Sequence, residues 1–236
     1  QSFLIIKIMD PYILSIDAGT SGITVLVLNK QANICKKYYS EFNQYYPKPG
    51  WVEHNGDEIW KITKDLIHLA FNDYNQKYCK GIGITNQRET TIIWDKHKNQ
   101  PIYNAIVWQC QRTKSICDKL KKLNYEKLIF NKTGLVIDSY FSATKIKWLL
   151  DNCKNAYKKA REGKLAFGTI DTWLLWKLTS GEIHATDFTN AARTQIFNIN
   201  TMNWDKELLE IFNNFSNINF HKDLNGDFRA MTVAYD

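Results

Sequence analysis

The stretch Gly81-Ile82-Gly83-Ile84-Thr85-Asn86-Gln87-Arg88-Glu89-Thr90-Thr91 decides how the rest of the chain is read. It opens as a buried strand, breaks into four polar residues from Asn86 to Glu89, and resumes as a second strand from Thr90 to Trp94. A plain turn favours Gly, Pro, Asn or Asp. Here the break also carries a guanidinium and a carboxylate. Arg88 offers a planar fork of donors and Glu89 offers acceptors only. Held side by side at a strand end, they suit a small polyol, because each hydroxyl both gives and takes a hydrogen bond. An exposed ion pair, worth about 0–1 kcal/mol, is the competing reading.

The 236 residues make one large or two modest domains. With 44% hydrophobic and 14% aromatic residues the chain can bury a core, and 23% charged residues is an ordinary level that argues against disorder. The net charge is +7. Its lysine clusters, Lys119 to Lys122 and Lys154 to Lys164, fall on expected helices and read as solvated faces. No nucleic-acid motif accompanies them, so no nucleic-acid partner is expected. The five cysteines form no Cys-x-x-Cys pair, which argues against a disulfide framework or zinc site and for a reducing, cytoplasmic setting. No apolar run reaches the roughly 18 residues of a membrane span, and Phe3-Leu4-Ile5-Ile6 is too short for a signal core. Met9 is read as a native start.

Before the central stretch, Tyr12 to Asp17 is expected as a strand ending in a carboxylate. The tight turn Ala18-Gly19-Thr20-Ser21-Gly22 follows, then strands over Ile23 to Leu28 and Asn33 to Tyr39, an antiparallel meander. The turn gathers backbone N–H groups and hydroxyls beside an acid, which suits phosphate oxygens and hydrated Mg²⁺ as well as it suits an ordinary hairpin. Pro47 to Trp51 is rigid and turn-forming. Asn55 or Asp57 caps a helix to about Tyr74, with Ile59, Ile62, Leu66 and Leu69 on its apolar stripe.

After the central stretch, Ile102 to Trp108 is expected as a strand. Trp108 is either a core residue or a flat wall for a polyol's C–H face. Helices are expected over Arg112 to Leu123 (Ile116, Leu120 and Leu123 inward), Tyr125 to Asn131 (stopped at Gly134), Thr144 to Asn152 and Asn155 to Arg161. Tyr140 precedes the third of these, with its phenol either in a cleft or at an interface. Leu165 to Gly168 is a strand. Asp171 caps a helix over Thr172 to Leu178. Asp187 to Thr194 is a close turn, and Asp205 caps Lys206 to Phe212. No internal repeat is present.

Six ordered segments resemble the FGGY family of carbohydrate kinases, and within it the members that phosphorylate glycerol. They are Tyr46 to His54, Gly81 to Thr91, Pro101 to Cys110, Asn131 to Asp138, Phe167 to Lys177 and Thr186 to Thr194. The resemblance runs from about Tyr12 to about Phe212. It implies an α/β fold of the ribonuclease-H-like, actin-like ATPase type, a mixed sheet flanked by helices, of which this chain carries the first of two domains. Residues 10–215 are expected as that domain and 216–236 as a divergent tail, with the second, adenine-holding domain absent. By resemblance Arg88, Glu89, Trp108 and Tyr140 bind glycerol, Gly19, Thr20 and Ser21 cradle ATP phosphates, and Asp17 sits near Mg²⁺. A homo-oligomer is left open.

The family pattern is broken in three places. Ala18 stands where Gln is usual, and Gly22-Ile23-Thr24 lacks the usual Arg of the phosphate loop. The family's catalytic aspartate lies in a Gly-Asp-Gln stretch further along, of which Gly226-Asp227-Phe228-Arg229 is only a faint echo, read as a loop. Negligible turnover by this chain alone is therefore expected; the alternatives are a non-catalytic remnant that binds glycerol or a partner, and a kinase for another polyol or sugar.

Overall fold

A computed structural model describes residues 10–212. The expectations for Phe3 to Ile6, Met9, the 216–236 tail and Gly226 to Arg229 lie outside them. In chain order, strands β1 (Tyr12–Ala18), β2 (Gly22–Asn29), β3 (Ile34–Glu41) and β4 (Glu53–His54) precede helix α1 (Gly56–Asp73). Strands β5 (Cys79–Asn86), β6 (Ile92–Asp95), β7 (Gln100–Pro101) and β8 (Ala105–Ile106) follow. Helices α2 (Lys114–Lys122), α3 (Glu126–Thr133), α4 (Ser142–Asn152) and α5 (Ala156–Arg161) come next. The chain closes through β9 (Leu165–Gly168), α6 (Ile170–Leu178), α7 (Phe188–Ala191), β10 (Phe197–Asn198), β11 (Asn203–Trp204) and α8 (Lys206–Ile211).

These elements sort into two compact units, residues 10–43 with 58–87 and residues 44–57 with 88–212. The first contains a four-stranded sheet of order β3-β2-β1-β5, antiparallel except for the parallel pair β1 and β5. Period-two alternation sends Tyr12, Leu14, Ile16 and Ala18 inward. Asn29 shapes the β2–β3 turn, its Oδ1 accepting from the backbone N–H of Gln31 and of Asn33, each at 3.0 Å. Gly22 is required where β2 passes β3, since a Cβ there would lie 2.6 Å from the Ser40 carbonyl oxygen.

The second unit contains a three-stranded sheet of order β7-β6-β9, the two-stranded pairs β4-β8 and β10-β11, and α2 to α8. Its core gathers Ile93 and Phe167 from the sheet with Ile146, Leu149 and Leu150 from α4. Gly134 ends α3 in the left-handed region at φ 69°, its N–H bonded to the Phe130 carbonyl at 2.7 Å.

Several expectations are corrected. The strands on either side of the Asn86 to Glu89 break do not share a sheet: β5 joins β1, while β6 pairs with β7 and β9. The phosphate turn therefore lies in the first unit and the Arg88–Glu89 pair in the second. Ile102 to Trp108 is not one strand, because its backbone changes partner along its length. Ile102 bonds Ile93, Ile106 bonds Thr91, and Val107 bonds Val52. Asp171 does not cap a helix; Thr169 holds that position, and the Asp171 carboxylate accepts from the Thr169 hydroxyl and, at 2.6 Å, from the Thr186 hydroxyl. Asp187 to Thr194 includes a short helix, α7, capped by Asp187. Leu69 and Leu123 are exposed rather than inward; Ile67 and Ala70 in α1 and Cys117 in α2 are buried.

Candidate functional site

In the second unit the chain turns sharply at Glu89. The Thr90 N–H bonds back to the Arg88 carbonyl at 2.8 Å, closing a three-residue γ-turn, and Glu89 sits at φ 64°. This left-handed backbone is uncommon for a side chain with no glycine-like freedom, and such strain concentrates at functional sites. Two hydroxyls hold the turn: Thr91 Oγ1 and Ser142 Oγ each donate to the Glu89 carbonyl at 3.0 Å. The Trp108 N–H donates to Thr90 Oγ1 at 3.3 Å, which ties the Trp108 segment to the same turn.

The turn separates the two adjacent side chains. Arg88 is exposed, and its guanidinium makes no hydrogen bond or ion pair among the described residues. Glu89 is 2% exposed and pairs instead with Arg193, whose Nε donates to Oε1 at 2.6 Å. Trp108 is half-buried and packs against Tyr140, ring centroids 5.4 Å apart. The Arg193 guanidinium lies over the rings of Tyr140 and Phe141, at 5.7 and 5.0 Å. Arg193 thus links Glu89 to Tyr140, and Tyr140 in turn packs against Trp108. Arg88 adjoins them along the chain.

Beneath Tyr140 is a fully buried cation. Lys145 Nζ donates to the carbonyls of Ser139, Tyr140 (2.7 Å) and Phe141 (3.2 Å). An ammonium has three donors, so this one pins the backbone that presents the phenol. Burial pushes the Lys145 amine down to about 7, opposed by the nearby Cys110, Cys117, Glu89 and Asp138. Asp138 steadies the same loop by accepting from the Tyr140 N–H at 2.7 Å.

In the first unit, Asp17 is exposed near the C-terminal end of β1, paired in register with Thr24 on β2 and Thr85 on β5. The turn after it is pinned through its carbonyls. Ala18 accepts from Gln87 N–H at 2.8 Å, Gly19 from Gln87 Nε2 at 3.2 Å, and Ser21 from Phe42 N–H at 3.4 Å. The N–H groups of Gly19 and Ser21 have no partner among the described residues. Engaged carbonyls and open amides are the chemistry that suits anionic oxygens. No group of three or more His, Cys, Asp or Glu gathers for a metal among the described residues. One exposed carboxylate beside such a loop fits Mg²⁺, which keeps its waters and is held by one or two carboxylates together with phosphates.

Arg193 and Lys145 were not marked by the sequence. Arg193 had a weak signal, as the one cation in the small and polar run Thr186 to Thr194. Lys145 had none, because a lysine in a helix reads as solvated.

Comparison with known proteins places the chain in a family. The profile of the FGGY family of carbohydrate kinases, N-terminal domain, matches residues 12–220. A glycerol kinase of Pseudothermotoga lettingae is 52% identical over 208 residues, covering 86% of this chain and 41% of the relative. One of Leptospira biflexa is 56% identical over 202 residues, covering 85% and 41%. Among solved structures, Plasmodium falciparum glycerol kinase with ADP superposes with a TM-score of 0.81 at 38% identity, covering 87% of this chain and 41% of that one. Gluconate kinase from Lactobacillus acidophilus, at 23% identity and a TM-score of 0.77, shares the fold, the mixed α/β arrangement of the actin-like, ribonuclease-H-like type. The chain thus spans about 41% of the length of the curated relatives it matches.

Proposed function

The chain belongs to the FGGY family of carbohydrate kinases, and from that premise we propose that it serves the ATP-dependent phosphorylation of glycerol to glycerol 3-phosphate. Residues 10–215 act as the family's N-terminal domain. Arg88, Glu89, Trp108 and Tyr140 bind glycerol; Gly19, Thr20 and Ser21 receive ATP phosphates; and Asp17 holds Mg²⁺ through its water shell. The single observation that carries the reading is the strained turn at Glu89, which buries a carboxylate that Arg193 links to Tyr140 of the Trp108–Tyr140 aromatic pair. Glycerol kinase relatives at 52–56% identity support glycerol over other polyols. A structural neighbour described with ADP supports the nucleotide.

The chemistry follows from the groups present. A carboxylate accepts from a substrate hydroxyl, a guanidinium donates to one, and the aromatic faces pack against C–H groups. A site that hydrogen-bonds every hydroxyl rejects analogues lacking one, because its own polar groups are then left unpaired. Phosphoryl transfer itself needs mostly positioning and charge stabilisation, and Mg²⁺, when bound, neutralises charge on the phosphates. We place the protein in the cytoplasm, in line with five free cysteines and with the lack of any helix long and apolar enough to cross a membrane among the described residues. Self-association into a homo-oligomer is compatible with this reading.

Calorimetry with the purified 236-residue chain tests the proposal. Saturable glycerol binding that Arg88→Ala weakens at least tenfold is expected. Undetectable binding by the parent chain at high glycerol sinks the reading.

A further inference from the structure

We propose that Arg193 is a specificity-determining residue that makes the site read two neighbouring hydroxyls together, an inference resting on the glycerol-binding reading above. Its Nε is committed to Glu89 Oε1 at 2.6 Å. Neither its Nη groups, nor Glu89 Oε2, nor the Tyr140 phenol has a partner among the described residues. None of these atoms is among the buried polar atoms sealed from solvent. The carboxylate and guanidinium therefore present one open acceptor and an open donor edge side by side.

The guanidinium is held at its root and lies over two rings. Its Cζ is 5.7 Å from the Tyr140 ring centroid and 5.0 Å from that of Phe141. Its main chain is fixed on both sides of the residue: the Arg193 N–H bonds the Asn190 carbonyl at 3.0 Å, and the Thr194 carbonyl accepts from the Ala143 N–H at 2.9 Å. Ser142, the neighbour of Ala143, is the residue that donates to the Glu89 carbonyl. One short segment at the start of α4 therefore anchors both partners of the pair. Such bracing preserves geometry, and a planar fork reads two atoms where a point charge reads one.

The ligand that satisfies both open edges carries hydroxyls on adjacent carbons. One oxygen gives its proton to Glu89, and the neighbouring oxygen accepts from Arg193. A 1,3-diol spaces its oxygens one carbon further apart and cannot satisfy both groups without a gap. The substrate class is thus a vicinal diol, and Arg193 is what enforces adjacency.

The experiment is a calorimetric series of glycerol, 1,2-propanediol and 1,3-propanediol against the 236-residue chain and its Arg193→Lys and Arg193→Met variants, with unfolding midpoints recorded for each. The parent is expected to prefer 1,2- over 1,3-propanediol at least tenfold. Arg193→Lys keeps the charge and the fold but loses the planar edge. It is expected to weaken glycerol at least tenfold and to bring the two diols within about twofold of each other. Folded Arg193→Lys that keeps the parent's diol ratio overturns the inference and leaves the glycerol reading intact. So does a parent that binds both diols equally, which needs no variant to fold. A parent that binds neither glycerol nor the diols removes the glycerol reading, and this inference with it.

Discussion

Two carboxylate–guanidinium pairs in the second unit, Glu53–Arg112 and Glu89–Arg193, begin from the same chemistry and end differently. Glu53 Oε1 accepts from Arg112 Nη2 at 2.7 Å and from the Tyr103 hydroxyl at 2.8 Å, and Oε2 accepts from Asn104 at 2.9 Å. Arg112 also donates to Cys110 Sγ at 3.0 Å, and its guanidinium lies 3.9 Å from the Trp51 ring and 4.6 Å from the Trp148 ring. Its remaining nitrogen, Nη1, has no partner but is sealed from solvent, so no ligand reaches it. Side-chain exposures of 0% for Arg112 and 3% for Glu53 complete the closure. Glu89 is as buried, at 2%, but Arg193 keeps 30%. A closed pair locks β4 to the segment leading into α2. An open pair holds groups in reserve. What separates a structural ion pair from a candidate site is thus not the residues but the number of polar atoms left unanswered within reach of water.

The sharpest way to break this contrast is to remove the same charge from each pair. Glu53→Gln leaves the Arg112 guanidinium buried without a counter-charge, and such losses cost about 3–5 kcal/mol. Glu89→Gln leaves a guanidinium that still meets solvent, so a cost of about 1 kcal/mol is expected. Urea unfolding of both variants measures the difference. Equal costs would mean that the second pair is as closed as the first.

Next in size is an acid effect confined to the closed region. His54, which follows Glu53 in β4, is fully buried, and its Nε2 lies 2.5 Å from Gln44 Oε1. Burial lowers it from 6.5 to about 4, so it stays neutral in the fold while the unfolded chain takes up the proton. Its stabilising contribution is complete above about pH 6.5 and is lost as the pH falls to about 4, a change of about 3 kcal/mol at most. Asp171 works in the opposite sense. Burial raises it to about 6, so its contribution is lost as the pH rises through that value. Unfolding curves for His54→Gln and its parent between pH 4 and 7 separate the two effects. The variant is expected to lose the His54 share of the acid sensitivity, and parallel curves would contradict the assignment.

How much of this was legible beforehand follows from the range of the forces involved. Local patterns carried well. Alternating apolar residues marked β1 and β2, Gly134 marked the end of α3, Asp205 marked the start of α8, and β9 fell at Leu165–Gly168 as expected. The polar break at Asn86 to Glu89 was visible, but the left-handed turn inside it was not, because no glycine announces a positive φ at Glu89. Long-range electrostatics left no trace either. Arg193 and Glu89 meet across 104 positions, and the Lys145 ammonium is buried by carbonyls that any sequence would supply. Helical periodicity placed Leu123 inward, but it lies just beyond the last turn of α2, where the stripe no longer faces the core.

The smallest expected stability change is the most informative for the open site. Arg88 is exposed and holds no described partner, so Arg88→Ala removes no native hydrogen bond and buries nothing new. Substitutions of that kind fall within about 0.5 kcal/mol. If the residue exists for a ligand, its removal changes binding without changing the unfolding midpoint. Added glycerol then divides the two forms. A ligand that binds only the folded state raises its stability by about 2.7 kcal/mol at a hundredfold excess over Kd. The parent is therefore expected to gain thermal stability with glycerol, and Arg88→Ala to gain little at the same concentration. A variant that starts several kcal/mol less stable would show Arg88 to be a structural cation like Arg112, and the distinction between the closed and the open regions would fail at the residue where it is most exposed.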